Sequence, residues 1–204
     1  MTVTDKINRN KKKYRIQALI VIILIFFAFI GSFLIADYVQ TNELAQDLLM
    51  RYGPLGAMIV AFIAGLNLIV PVPAATFVPI FTAAGLSVVT IIILFIIGTT
   101  LADLLAYVLG RMGKNFLRDR YPEAHSKVED IYKNKVRFLP YFVFFWASFV
   151  PLPNEAILIP LGLLGVKMRA FIIPLLLGTT LYISLFTLGT STVFEYVQTI
   201  LDSG

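Results

Sequence analysis

The sequence predicts an all-α integral membrane protein, with an N-terminal transmembrane helix followed by an inverted repeat of a re-entrant helical hairpin plus a transmembrane helix. Three observations carry this reading. Of 204 residues, 58% are hydrophobic and 14% charged, and the mean hydropathy is +0.85, too apolar for a soluble domain. A signature occurs twice: Val70-Pro71-x-Pro73, Gly85 and Gly98-Thr99-Thr100-Leu101 return 80 residues later as Val150-Pro151-x-Pro153, Gly165 and Gly178-Thr179-Thr180-Leu181. Finally, 16 of the 17 Lys and Arg fall within residues 6–15, within residues 111–137, or at Lys167 and Arg169.

The repetition goes beyond an oily composition. Eleven of the 36 positions from 70 to 105 are identical to the residue 80 later, and the shared residues include prolines, glycines and threonines. In a membrane protein, paired hydrophobic segments interrupted by Gly or Pro at corresponding positions point to a transport-type binding site.

Residues 1–15 form a basic N-terminus. Residues 16–36 follow Lys11-Lys12-Lys13 and give 21 residues with Gln17 and Ser32 as the strongly polar members, the length of one crossing. A signal peptide competes, but it has a shorter apolar core and a small-residue cleavage site that is not evident here. Residues 37–53 space Leu44, Leu48 and Leu49 among Asp37, Glu43, Asp47 and Arg51, which predicts an interfacial amphipathic helix, with a polar linker as the alternative.

Residues 54–86 are nearly uncharged, and Pro71 and Pro73 sit in their middle. Proline lacks an amide donor and restricts the residue before it, so the helix breaks there and leaves two arms too short for comfortable spans. A re-entrant hairpin explains this; the alternative is one kinked span followed by a short one. Residues 87–110 make a full span, and residues 111–137 a charged segment with eight basic and four acidic residues. The second copy repeats the plan: hairpin 138–166 broken at Pro151 and Pro153, span 170–189, and an acidic tail 191–204.

Charge then orients the chain. If the hairpins cross nothing and each following helix crosses once, an inside N-terminus places every basic cluster on the cytoplasmic side, Arg51 excepted, and the C-terminus outside. Each copy contains one net crossing, so the copies run in opposite senses and their tips meet near the midplane. The expected location is the cell membrane.

The same clustering argues against nucleic acid as a partner, since no aromatic-interleaved basic groove accompanies it. Absence of cysteine excludes thiol chemistry and cysteine-ligated metals, and the single His125 leaves no histidine cluster. No nucleophile–base constellation is recognisable, so the chain is not expected to be an enzyme, and no cofactor or metal is expected.

Gly98, Asp103, Tyr107, Gly110-Arg111 and Gly113, together with Phe149-Val150-Pro151-Leu152-Pro153-Asn154-Glu155 leading to Gly162 and Gly165, resemble the DedA/VTT (SNARE-associated Golgi protein) superfamily over about residues 50–190. The resemblance implies paired re-entrant hairpins and movement of lipids between leaflets, phospholipids or polyprenyl-phosphate carriers included, with a link to the proton gradient in several bacterial members. Two features depart from the family's pattern. Ala74-Ala75 stand where an acidic residue is common in the first hairpin, and Lys167 and Arg169 are the only cations after the second.

Glu155 is the most informative ionisable residue, because a carboxylate two residues past a hairpin tip is costly in a membrane and is a functional candidate by default. Its structural alternative is that Asn154 caps the returning half-helix while Glu155 complements the helix dipole. Asp103 shares a helical face with Tyr107 and lies two turns before Arg111, which fits either a proton or headgroup relay or an Asp–Arg pair. Arg111 and Arg137 are candidates for holding a phosphate, with interfacial anchoring as the alternative. Pro71, Pro73, Pro151 and Pro153 shape the tips, Asn67 is a polar group at membrane depth, and the paired threonines serve close packing.

The leading expectation is a lipid transporter or scramblase whose partners are membrane lipids and protons. A proton-coupled carrier of a small solute or ion, and a non-transporting assembly protein, are the alternatives. One chain holds both copies, so a monomer suffices, and a homodimer remains open.

Overall fold

A computed structural model of the chain describes residues 23, 26–28, 30–66, 72–120, 136–150 and 153–202. The expectations for residues 1–15, Asn67, Pro71, His125 and Pro151 lie outside these residues. The described residues are mostly helical, and none of them is in a strand. In order they form α1 (Phe26–Thr41), α2 (Glu43–Gly65), a 3-10 turn (Ala74–Phe77) leading into α3 (Val78–Ala83), α4 (Val88–Met112), α5 (Lys114–Arg120), α6 (Leu139–Phe149), α7 (Glu155–Leu163) and α8 (Ile172–Asp202). Among the described residues, three helices are long and apolar enough to cross a membrane: Glu43–Gly65, Val88–Arg120 and Ile172–Ile200.

Two boundaries differ from the sequence reading. There is no separate interfacial helix over 37–53, because α1 runs to Thr41 and the chain breaks at Asn42. Asn42 is extended there, and its side chain accepts a 3.0 Å hydrogen bond from the Ala45 amide, an N-cap that starts α2. From Glu43 the helix continues through Pro54, whose ring removes one intrahelical bond without ending the helix, so charged first turns and an apolar arm form one 23-residue helix. The second difference is α8. It passes the expected end at 189 and takes in most of the tail, because nothing after Gly189 breaks it and Phe194 is buried against Ala36 and Val39 of α1. At about 1.5 Å per residue it exceeds the roughly 30 Å hydrocarbon core.

α6 stops at Phe149, directly before Val150-Pro151, as the prolines predict, whereas α2 already stops at Gly65, six residues short of Pro71. α4 matches its expected bounds within two residues, with Ser87 as N-cap accepting from the Thr90 amide at 3.2 Å. The two copies also end their second arms identically. Gly85 and Gly165 take φ of +86° and +68°, and in each the glycine amide bonds the carbonyl three back (Thr82, 2.9 Å; Gly162, 2.8 Å). The following amide bonds the carbonyl five back (Phe81 and Leu161, both 3.0 Å), completing a C-terminal motif that needs a left-handed residue. The 80-residue repeat is therefore a repeat of local structure.

Packing follows small residues, as expected where apolar tails supply no hydrophobic drive between helices. Ala57, Ala61, Ala102 and Ala106 are fully buried, while Phe26, Phe27, Leu34, Val89 and Ile173 face outward. The first arm of each copy lies on that copy's own long helix, through the repeated glycine. A Cβ on Gly98 would meet Ala61 Cβ at 2.8 Å, and one on Gly178 would meet Ala147 Cβ at 2.8 Å. The second arms exchange: α7 packs on α4, and the 3-10 turn and α3 pack on α8. The α4–α7 crossing is the tighter. A Cβ on Gly110 would strike the Ile159 carbonyl, and one on Gly162 would strike the Tyr107 carbonyl and, at 2.7 Å, the Arg111 amide nitrogen.

Backbone cannot yield there as a side chain can. Gly162→Ala is expected to destabilise the protein by about 1–3 kcal/mol, whereas Gly189→Ala, with open space around it, is expected to be neutral or stabilising by up to about 1 kcal/mol. Thermal unfolding of the purified variants in one detergent checks both.

Candidate functional site

Asp103 lies on the buried face of α4 with Ala102, Ala106 and Tyr107, and is 3% exposed. Opposite it is the start of α7. Asn154, the residue before that helix, donates its side-chain amide to Asp103 Oδ2 at 3.0 Å. Glu155, the first residue of α7, is 2% exposed and near enough for its charge to act on Asp103. The fold thus brings together three of the four residues expected to couple substrate or protons. Asp103 has an amide as its partner and a second carboxylate as its electrostatic neighbour, a pairing suited to taking up positive charge.

This geometry corrects the Asn154 half of the capping alternative, while Glu155 does stand in the first turn of α7. Asn154 has helical backbone angles (φ −62°, ψ −27°) and its side chain makes no cap bond. Its carbonyl accepts from the Ile157 and Leu158 amides, both at 2.9 Å, and starts the helix while the side chain is turned across to α4.

Tyr107 is placed differently from a relay partner. Its hydroxyl donates to the Val166 carbonyl at 2.6 Å and accepts from Arg111 Nη1 at 2.9 Å, and its ring meets Phe171 edge-on at 5.3 Å. The hydroxyl is therefore committed away from Asp103, and Arg111 is committed to Tyr107. Together they fasten the cytoplasm-proximal end of α4, in the sequence-based orientation, to the turn after α7. Arg137 is exposed in the 3-10 turn Val136–Phe138 and bonds to no other described residue. Pro73 directly precedes the 3-10 turn Ala74–Phe77, and Pro153 lies two residues before the start of α7.

Sequence reasoning missed Lys114. A side chain on Gly165 would meet Lys114 Cδ and Cε at 2.8 Å, so the glycine lets the lysine lie over the C-terminal turn of α7, where a cation complements the helix dipole. No local pattern announces a contact between residues 51 apart. Among the described residues, no three His, Cys, Asp or Glu side chains converge to hold a metal ion.

A family model of the VTT domain matches residues 72–191, more than half of the chain. The chain belongs to the VTT domain family. No curated protein and no solved structure matches it. The matched region begins just before the first short arm and runs through most of α8, so it holds the exchanged arms, both long helices and the Asp103–Asn154–Glu155 cluster of this VTT domain.

Within the VTT domain the two copies differ at this place. The residues 80 away from Asp103, Asn154 and Glu155 are Ile183, Ala74 and Ala75, and all three join one apolar cluster with Phe81 and Phe95.

Asn154→Ala is expected to cost about 1–3 kcal/mol, because it strips a buried carboxylate of its donor. Ala74→Gly, at the matching apolar position, tests whether the cost belongs to the bond. A loss at Asn154 no larger than at Ala74 in thermal unfolding would show that the bond contributes nothing.

Proposed function

We propose that this VTT-domain protein is a lipid transporter or scramblase that moves phospholipid or polyprenyl-phosphate headgroups between leaflets, with Asp103 and Glu155 as the groups that take up a proton or a headgroup amine. The observation that carries the reading is the buried Asp103–Asn154 hydrogen bond beside Glu155, at the junction of a long helix with an interrupted one. Ionisable groups at membrane depth are expensive and mark pathways. Interrupted helices that meet near the midplane are where transporters place their sites.

The rest of the reading extends this. The arms α6 and α7, of 11 and 9 residues, are each too short to cross, which supports a re-entrant second hairpin. The first hairpin is proposed from the repeat: α2 as a whole is long enough to cross, but its part beyond Pro54 is 11 residues, and the second arm runs only from Ala74 to Ala83. Basic clusters on one side favour an inverted repeat in the cell membrane with the N-terminus inside and the C-terminus outside. Arg111 and Arg137 border that inner face, where a guanidinium suits a lipid phosphate. The same carboxylate pair would also serve a proton-coupled carrier of a small solute. We read the site as a carrier's and not an enzyme's, because a buried carboxylate–amide cluster suits the uptake and release of a proton or an amine.

Proteoliposomes with the purified chain are expected to flip fluorescent phospholipid faster than empty vesicles, and Glu155→Gln and Asp103→Asn to abolish most of the gain at unchanged protein abundance. No stimulation across several lipid classes would exclude lipid transport, and full activity of both variants would exclude the carboxylates. For topology, single cysteines at Val72 and Pro153 are expected to react with a membrane-impermeant reagent from opposite faces.

A further inference from the structure

The polar groups of α4 recur along one face at four-residue spacing: Thr99, Asp103, Tyr107 and Arg111. The residues 80 later are Thr179, Ile183, Thr187 and Ser191, and all four are buried on α8. The second face keeps its hydroxyls but loses every charge; from Ile172 to Phe194, α8 has no Asp, Glu, His, Lys or Arg.

Two of the three hydroxyls on this face, those of Thr179 and Thr187, have no described partner, as is also the case for Thr100 on α4, while the third, Ser191, bonds back to the Leu188 carbonyl at 3.0 Å. Helical Thr and Ser in an apolar environment turn back to a carbonyl one turn earlier. Thr99 does so to Phe95 at 2.7 Å, Thr192 to Leu188 at 2.9 Å and Ser148 to Phe144 at 2.8 Å. Thr179 and Thr187, at 4% and 0% exposure, bond to no described residue, although Thr179 sits in the same Gly-Thr-Thr-Leu motif as Thr99. Thr82 of α3, which packs on α8, also has a hydroxyl without a described partner. Thr82 occupies the position of Gly162, which in the second copy touches Tyr107 and Arg111, the counterparts of Thr187 and Ser191. By the 80-residue offset, Thr190 and Thr82 are the counterparts of Gly110 and Gly162, the two glycines of the α4–α7 crossing.

We propose that Thr179 and Thr187 of α8, with Thr82 of α3, form a second, uncharged binding site that holds water or the hydroxyls of a polyol lipid headgroup. Buried hydroxyls almost always have a protein or water partner, so a row without protein partners marks places for one. With no charge on the face, the ligand must be a neutral hydrogen-bonding group. The alternative, threonines used only as small packing residues, fails to explain why Thr179 leaves its carbonyl unbonded when Thr99 does not. Service to a headgroup rests on the transport reading; the site itself does not.

The chain lacks cysteine, so single cysteines report directly. In proteoliposomes of the full chain, Thr187→Cys and Thr82→Cys are expected to react with aminoethyl methanethiosulfonate on the order of tenfold faster than Ile183→Cys. Slowing by dihexanoyl phosphatidylglycerol, but not by dihexanoyl phosphatidylcholine, identifies headgroup hydroxyls as the occupant; reaction indifferent to both identifies water. Equal rates at 187, 82 and 183 overturn the proposal. Thr187→Val keeps the side chain's shape and is expected to slow flipping severalfold with an unchanged melting temperature. Unchanged flipping with a higher melting temperature means that the hydroxyl binds nothing and overturns the proposal as well. If the wild type flips no lipid, the transport reading fails and the labelling rates still decide this one.

Discussion

Backbone-to-backbone contact between α4 and α7, possible because Gly110 and Gly162 lack a Cβ, sets the positions of the groups around it. One turn before Gly110 the Tyr107 hydroxyl reaches the Val166 carbonyl, and two turns before it Asp103 reaches Asn154. Neither hydrogen bond would survive if side chains held the helices a methyl group further apart, since N–H···O and O–H···O bonds weaken within a few tenths of an ångström of their limits. The crossing is therefore a structural device with a chemical consequence. It pins the start of a short helix, and its carboxylate, against the middle of a long one.

The exchange of second arms gives that contact its meaning. A helix that stops inside a membrane leaves amides and carbonyls without partners, and these are tolerated only where protein or a watery cavity covers them. Each short arm here ends in a self-satisfied glycine turn and begins against the long helix of the other copy. The breaks are therefore held by the partner half, and the two halves cannot be assembled independently. An N-terminal helix reinforces this by packing Ala36 and Val39 against Phe194 and the turn after α3.

Duplication supplies two equivalent places, and the sequence has treated them differently. One holds Asp103, Asn154 and Glu155; the other holds Ile183, Ala74 and Ala75 in an apolar cluster with two phenylalanines. The crossing beside the polar place is closed by glycines and a tyrosine lock, while that beside the apolar place carries threonines. In the proposed inverted arrangement, charge would then be handled in one half of the path and hydrogen bonding without charge in the other.

Much of the fold was legible in one dimension because its determinants are local. The second proline pair ended α6, Ser87 opened α4, glycines at 85 and 165 closed both short arms, and the 80-residue offset showed that these were one design used twice. A boundary set by a distant contact was not legible: α8 runs past 189 because Phe194 finds α1. The start of α2 at Glu43 is a local matter, since Asn42 caps it through the Ala45 amide. For the site, the sequence by itself determined which residues were chemically unusual for a membrane interior, since burying a carboxylate is costly wherever it lands. Only the tertiary structure decided their partners. Asn154 meets Asp103 and Tyr107 meets Val166, across 51 and 59 residues of chain, because two glycines let the helices touch.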